Sequence, residues 1–204
     1  MPVAYKKMNG LGNDFVVLDA RKERFPMSNV IAAQIGNRDT GIGCDQIIII
    51  EPGKAPADAF MRIYNQNGGE VAACGNATRC VGQLLLNETG KERVTIETRA
   101  GLLKASAAED GVTVDMGTPK FDWEDIPLSE RMDTRGIDIK LGPIDNPVLM
   151  GPAAVNVGNP HVIFFVEDVN GHDLEKFGPL VEFHPLLPEQ ANVSLAQVMA
   201  NDII

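Results

Sequence analysis

Cys74 stands directly before Gly75-Asn76 and at the head of an apolar-periodic run, a place where a thiol is set for chemistry. The apolar positions that follow are Ala77, Cys80, Val81, Leu84 and Leu85. Spacing of i, i+3, i+4, i+7 and i+8 predicts a helix with one buried face. The first turn of such a helix carries unpaired N–H groups and partial positive charge, which favour a thiolate and bind an anion. The competing reading of Cys74 is packing, because free cysteines are among the most buried residue types. Cys80 lies on the apolar stripe and is expected in the core. Six residues at about 100° each turn the two thiols roughly 240° apart, so they do not share a metal. With no CxxC or HExxH anywhere in the chain, no metal site is expected.

The elements that must position this thiol are mostly short strands. Ala4–Met8, Phe15–Asp19, Gln46–Glu51 and Ala59–Tyr64 have strand character, and Asn67-Gly68 supplies a turn. Ser28 is expected to cap a helix running to Ile35 and ended by Gly36. Val94–Thr98, Leu102–Ala107 and Val112–Met116, separated by Gly101 and Asp110-Gly111, predict an antiparallel meander. Strands in this number around one apolar helix suggest a barrel-like sheet with the helix in its middle. A seam is expected over Gly117–Pro147, where Pro119, Pro127, Pro143 and Pro147 concentrate and apolar periodicity fades. The pattern resumes with Ala153–Val157, a strand at His161–Val166, a short helix near Asp173–Phe177, and Val193–Met199. Domains are therefore expected at 1–117 and 118–204.

Composition bounds the function. In 204 residues, 44% are hydrophobic and 23% charged, enough apolar content for a real core. A net charge of −10 argues against nucleic acid or an anionic membrane as partner. No charged leader and no 18-residue apolar stretch is present, and three cysteines without framework spacing fit a reducing cytoplasm.

Five motifs together resemble the diaminopimelate epimerase family. They are Met8-Asn9-Gly10-Leu11-Gly12-Asn13-Asp14-Phe15, Gly41-Ile42-Gly43-Cys44-Asp45-Gln46, Asn65…Gly68 leading to Cys74-Gly75-Asn76, Gly158-Asn159-Pro160-His161, and Pro188-Glu189-Gln190-Ala191-Asn192. The resemblance spans residues 8 to 192 in the family's order. It implies an α/β (α+β) fold of two pseudo-symmetric domains, each a mostly antiparallel sheet rolled around a central helix, with the active site in the cleft between them. It implies a cofactor-independent isomerase that interconverts LL- and meso-diaminopimelate in lysine and peptidoglycan biosynthesis. It implies a small-molecule substrate and a cytoplasmic enzyme, and family members are often homodimers. Two cysteines transfer the proton from opposite faces of the α-carbon, and the resemblance makes Cys74 the first of them. It places Asn13, Gln46, Asn65, Gly75, Asn76, Asn159 and Asn192 around the substrate.

Taken singly, these amides have plainer explanations. Asn13 and Asn159 sit beside glycine in turn-like sequence, Gln46 suits a strand edge, and Asn65 suits a hairpin flank. His161 is expected behind the site rather than in it, Cys44 is assigned no chemistry, and the acidic run Glu124–Asp133 is expected to be solvated.

The chain departs from the family in one respect. The second catalytic cysteine lies in a Cys-Gly-Thr/Ser-Gly segment after Asn192, with a Glu-Arg pair ahead of it, and neither is present. Ile203-Ile204 at the end looks like a strand cut in its middle, so the second domain is expected to be incomplete. Two alternatives follow: an epimerase lacking its second base, or a non-catalytic fragment of the fold that acts in binding or assembly.

Overall fold

The computed structural model describes residues 3–200, and the chain divides between Gly117 and Thr118 into two compact units. In the first unit the strands are β1 (Lys6–Gly10), β2 (Asn13–Asp19), β3 (Gln46–Pro52), β4 (Ala59–Asn65), β5 (Glu70–Val71), β6 (Arg93–Thr98), β7 (Gly101–Ala108) and β8 (Gly111–Asp115). The helices are α1 (Asn29–Gly36) and α2 (Gly75–Thr89). The sheet runs β1-β2-β3-β4-β6-β7-β8, with β5 hydrogen-bonded to β4. Its pairings are antiparallel except β2 with β3 and β4 with β6.

Strand alternation explains the two layers of this unit. Phe15 and Val17 of β2, with Ile48 and Ile50 of β3, join the core around α2. Their neighbours Val16, Leu18, Ile47 and Ile49 join a second core against α1. Both faces of these central strands are buried, which is why Ile47–Ile50 reads as an unbroken apolar run. From α2 the core receives Ala77, Cys80, Val81 and Leu85 of the stripe expected from the spacing, together with Leu86, while Leu84 is only partly buried against it. Burying a side chain such as Leu85 contributes about 1.5–3 kcal/mol. Close approach of α2 to β7 needs Gly82, since a Cβ there would lie 2.6 Å from Cβ of Ala105.

At the start of α1, Ser28 Oγ accepts from the Ile31 N–H, as a cap should. The other end differs from expectation. Gly36 is the last helical residue, and Asn37, in extended conformation, is the C-cap. Gly36 is small for packing instead: a Cβ there would lie 2.9 Å from Cα of Gln66.

The second unit contains β9 (Lys140–Leu141), β10 (Leu149–Met150), β11 (Ala153–Asn156), β12 (Pro160–Phe165), β13 (Asn192–Ala196), α3 (Leu174–Glu182) and a 3-10 turn at Val169–Gly171. β11 pairs antiparallel with β12, which pairs parallel with β13. α3 runs further than expected. Asp173 caps it through a bond from the Lys176 N–H, and the helix continues through Gly178-Pro179 to Glu182. The seam expected over 117–147 is not a bare linker: Ile126, Leu128, Ile137, Ile139 and Leu141 are buried in this unit's core. These apolar residues sit on largely irregular backbone, so no periodicity announces them. The carboxylates around them behave as foreseen, with Asp125 and Asp133 meeting Lys120 and Arg135 at the surface. The strand end expected at Ile203-Ile204 lies outside the described residues.

Candidate active site

Cys74 is the N-cap of α2, extended at φ −151° and ψ 113°. Its carbonyl accepts from the Thr78 N–H at 2.9 Å and from Thr78 Oγ1 at 2.8 Å, which fixes the residue at the helix mouth. Its Sγ accepts from the Ala77 N–H at 3.5 Å. Burial pushes the thiol above its ordinary range, while the N–H groups of Asn76 and Ala77 pull it down by less. Cys80, buried about a turn and a half into the helix, directs its Sγ to the Asn9 carbonyl at 3.7 Å. Cys44 is fully buried on the α1 side of the sheet.

Four amides of the first unit form two pairs. Asn76 Nδ2 donates to Asn13 Oδ1 at 2.8 Å, joining the first turn of α2 to the start of β2. The β1–β2 hairpin tip holds Asn13 there. Leu11 at φ 51° and Gly12 at φ 94° make its turn, and a Cβ on Gly10 would lie 3.1 Å from the Asn76 carbonyl. A leucine in left-handed conformation costs about 1–2 kcal/mol. In the second pair, Gln46 Nε2 donates to Asn65 Oδ1 at 2.9 Å, and the two residues are register partners across β3 and β4. Gln46 is also the register partner of Phe15 on β2.

Gly75 has no conformational or packing reason to be glycine. Its φ is not in the left-handed region, and a Cβ there would meet only the flexible end of Met116, with Sδ at an ordinary 3.4 Å and Cε at 3.8 Å. Two cavities of this unit lie away from the thiol. One of about 470 Å³ is lined by residues of α1 and its following loop, the other, of about 560 Å³, by β1 and the far half of α2. The helix mouth belongs to neither of these cavities.

Within the second unit, Asn159, His161 and Asn192 come together at one end of its sheet. His161 Nε2 and Asn159 Oδ1 are 3.1 Å apart, and His161 is the register partner of Asn192. Asn192 Nδ2 donates to the Pro160 carbonyl at 3.2 Å. Burial holds His161 below its usual range, so its imidazole stays neutral near pH 7.

Sequence reasoning overlooked the residues flanking these amides. Asp14 follows Asn13 and Asp45 precedes Gln46, and Arg38 donates to both carboxylates, at 2.8 and 3.1 Å and at 2.7 Å. The signal was available in the Asn-Asp and Asp-Gln pairs, which carry a charge beside each amide. Among the described residues no group of three or more His, Cys, Asp or Glu is placed to hold a metal, and no helix is long and apolar enough to cross a membrane.

The family model described as diaminopimelate epimerase matches residues 5–122. A diaminopimelate epimerase from Nitrobacter hamburgensis is 48% identical, with 98% of this chain and 70% of that protein covered. One from Rhodospirillum centenum is also 48% identical, covering 98% of this chain and 68% of its own length. Among solved structures, a phenazine biosynthesis protein of the PhzF family from Bacillus anthracis superposes with a TM-score of 0.56 at 21% identity, over 98% of this chain and 67% of that one. A hydroxyproline epimerase from Agrobacterium vitis gives 0.54 at 16% identity, over 88% and 54%. These two likenesses concern the fold alone.

Proposed function

Because this chain belongs to the diaminopimelate epimerase family, we propose that it acts on LL- and meso-diaminopimelate and that Cys74 moves the α-proton at one face of the substrate. The observation that carries this is the thiol capping α2 beside a glycine that neither packing nor conformation requires. A Cβ-free residue there lets a ligand carboxylate reach the N–H groups of the first turn. The α-proton of an amino acid is a very weak acid, so removing it without a cofactor needs strong stabilisation of the charge that develops. Helix N–H groups aimed at the α-carboxylate supply that stabilisation without reorganising. As the thiolate of Cys74 takes the α-proton, the electron pair of the C–H bond moves toward the carboxylate held at the helix mouth. A thiol raised by burial gives a thiolate that is a strong base once formed.

Asn13, Gln46, Asn65 and Asn76 are proposed as neutral hydrogen-bonding groups for the substrate, and Asn159 and Asn192 are carried with them on the family motif. In the free protein the first four satisfy one another, and a ligand exchanges those bonds for its own. All three cysteines of the sequence lie in the first unit, and Cys44 and Cys80 are buried. Exchange at one face is thus assigned to Cys74, whereas inversion needs a proton donor other than Cys44 or Cys80.

The test is proton NMR of LL-diaminopimelate incubated with the chain in D₂O, beside the Cys74→Ala variant. Deuterium entering the α-position with wild type and not with the variant supports the assignment. Exchange that survives Cys74→Ala removes Cys74 as the base. If folded wild type gives no exchange, the catalytic proposal fails and the binding-or-assembly alternative takes its place.

A further inference from the structure

We propose that Arg38 is a positioning residue that, through Asp14 and Asp45, holds from behind the sheet the strand ends presenting Asn13, Gln46 and Asn65. Alternation along β2 and β3 separates two sets of side chains. Asn13 precedes Phe15 and Val17 by two and four residues, and Gln46 stands in the same relation to Ile48 and Ile50, so both amides share the α2 face. Asp14 and Asp45 alternate instead with Val16, Leu18, Ile47 and Ile49, which face α1. Charges and amides therefore occupy opposite faces of the same strand starts.

Asp45 is the hub of this arrangement. Its carboxylate accepts from the Asp14 N–H at 2.9 Å, and its own N–H bonds the Asp14 carbonyl and Oδ1, both at 3.0 Å. Its carbonyl accepts from the Gln66 N–H at 2.9 Å, and Gln66 directly follows Asn65. Three strand ends are thus tied at one residue. Arg38 closes the tie with a fork to Asp14 and a further bond to Asp45, and Lys7 adds a contact to Asp14 at 3.5 Å. The Arg38 guanidinium holds the Asp14 carboxyl well below the usual carboxylate range.

The Gly41–Gln46 segment is shaped around this clamp. A Cβ on Gly41 would lie 2.0 Å from the Gln34 carbonyl. Gly43, at φ +73°, leaves room for Arg38 itself, whose Cα would be 2.9 Å from a Cβ there. N–H groups of Ile42, Gly43 and Cys44 bond the last carbonyls of α1, at Ile35 and Gly36. An isolated exposed ion pair contributes little, and Arg38 is half exposed. This one differs because the fork is bidentate and each carboxylate is also fixed by a backbone N–H.

A role for Arg38 in function rests on the amides facing the substrate as proposed above, but the clamp can be tested without ligand. The measurement is the side-chain amide NMR signals of Asn13, Gln46, Asn65 and Asn76 in the ¹⁵N-labelled chain, for wild type, Arg38→Met and Arg38→Lys. Gln83 and Asn87, bonded to each other at 3.0 Å further along α2, are the internal control. Arg38→Met is expected to shift or broaden the four site amides and leave Gln83 and Asn87 in place. Arg38→Lys, which keeps the charge without the fork, should recover part of the wild-type pattern, and it serves alone if Arg38→Met does not fold. Site amides that superimpose on wild type, or that move no more than Gln83 and Asn87, overturn the clamp. Titration with LL-diaminopimelate on the same signals should then show about tenfold weaker binding in Arg38→Met. If wild type itself ignores that ligand, the substrate proposal falls while the ligand-free comparison still decides the clamp.

Discussion

Cys74 should alkylate slowly at neutral pH and speed up about tenfold per pH unit through pH 9, without levelling off below it. Two effects set its ionisation. The helix N-terminus favours the thiolate by roughly 0.3–1 kcal/mol, less than the 1.36 kcal/mol that moves a pKa by one unit. It acts on the sulfur through the Ala77 N–H, whose nitrogen is 3.5 Å away. Burial opposes ionisation by as much as several units for a fully enclosed group, and Cys74 packs against the core of the first unit. Burial therefore wins, and the thiol stands above its ordinary 9.0. At that value or higher, at most about one per cent is thiolate near pH 7. The assay is iodoacetamide labelling from pH 6 to 10, with peptide mapping to separate Cys74 from the buried Cys44 and Cys80. A labelling rate that reaches its plateau near pH 7 would refute the argument, because it would mean that the helix end outweighs desolvation.

Two further outcomes follow from the packing. Gly68→Ala places a side chain at φ +89° with its Cβ 2.1 Å from the Asn29 carbonyl, so it should cost at least about 2 kcal/mol in urea denaturation; a loss below about 1 kcal/mol contradicts the geometry. Burial raises Cys44, Cys74, Cys80 and Tyr64 alike, so these groups release protons later in the folded chain than in the unfolded one. Their stabilisation is complete below the unfolded values and is lost as pH rises past about 9. Each thiol ionised only in the unfolded chain removes about 1.4 kcal/mol per pH unit. The urea midpoint should accordingly fall between pH 8.5 and 10, and a flat midpoint over that range would contradict burial of the thiols.

The sequence was most legible where one period held for a whole element. The α2 stripe from Ala77 to Leu85 and the strands of the first unit emerge near their observed limits because alternation or 3.6-residue spacing survives along them. It was least legible over 118–147, where Ile126, Ile137 and Ile139 are buried from irregular backbone and no period marks them. α3 extends beyond the short helix expected near Asp173–Phe177, because it passes through Gly178-Pro179, a pair of poor helix formers, to Glu182. For the site, the motifs located the residues but not their partners. Nothing in the chain states that Asn13 bonds Asn76, 63 positions away, or that Gln46 bonds Asn65. Those contacts come from the register of the hairpin and of β3 with β4, which only the folded sheet defines.

The division of the sheet into a charged face and an amide face bears on the thiol itself. Had Arg38 and Lys7 lain on the α2 side, their charges would have lowered Cys74 and stabilised a resting thiolate. Placed behind the strands, they pair with Asp14 and Asp45 and fix geometry, and the charges that face Cys74 closely enough to shift it are the partial charges of its own helix. The amides are fixed without an ionic side chain among them, so a zwitterionic ligand would meet neutral donors and acceptors and keep its own charges for the helix mouth. On this argument Asp45→Asn should disturb the amides while leaving the alkylation profile of Cys74 in place. A change in that profile would mean that the two faces are coupled through the sheet.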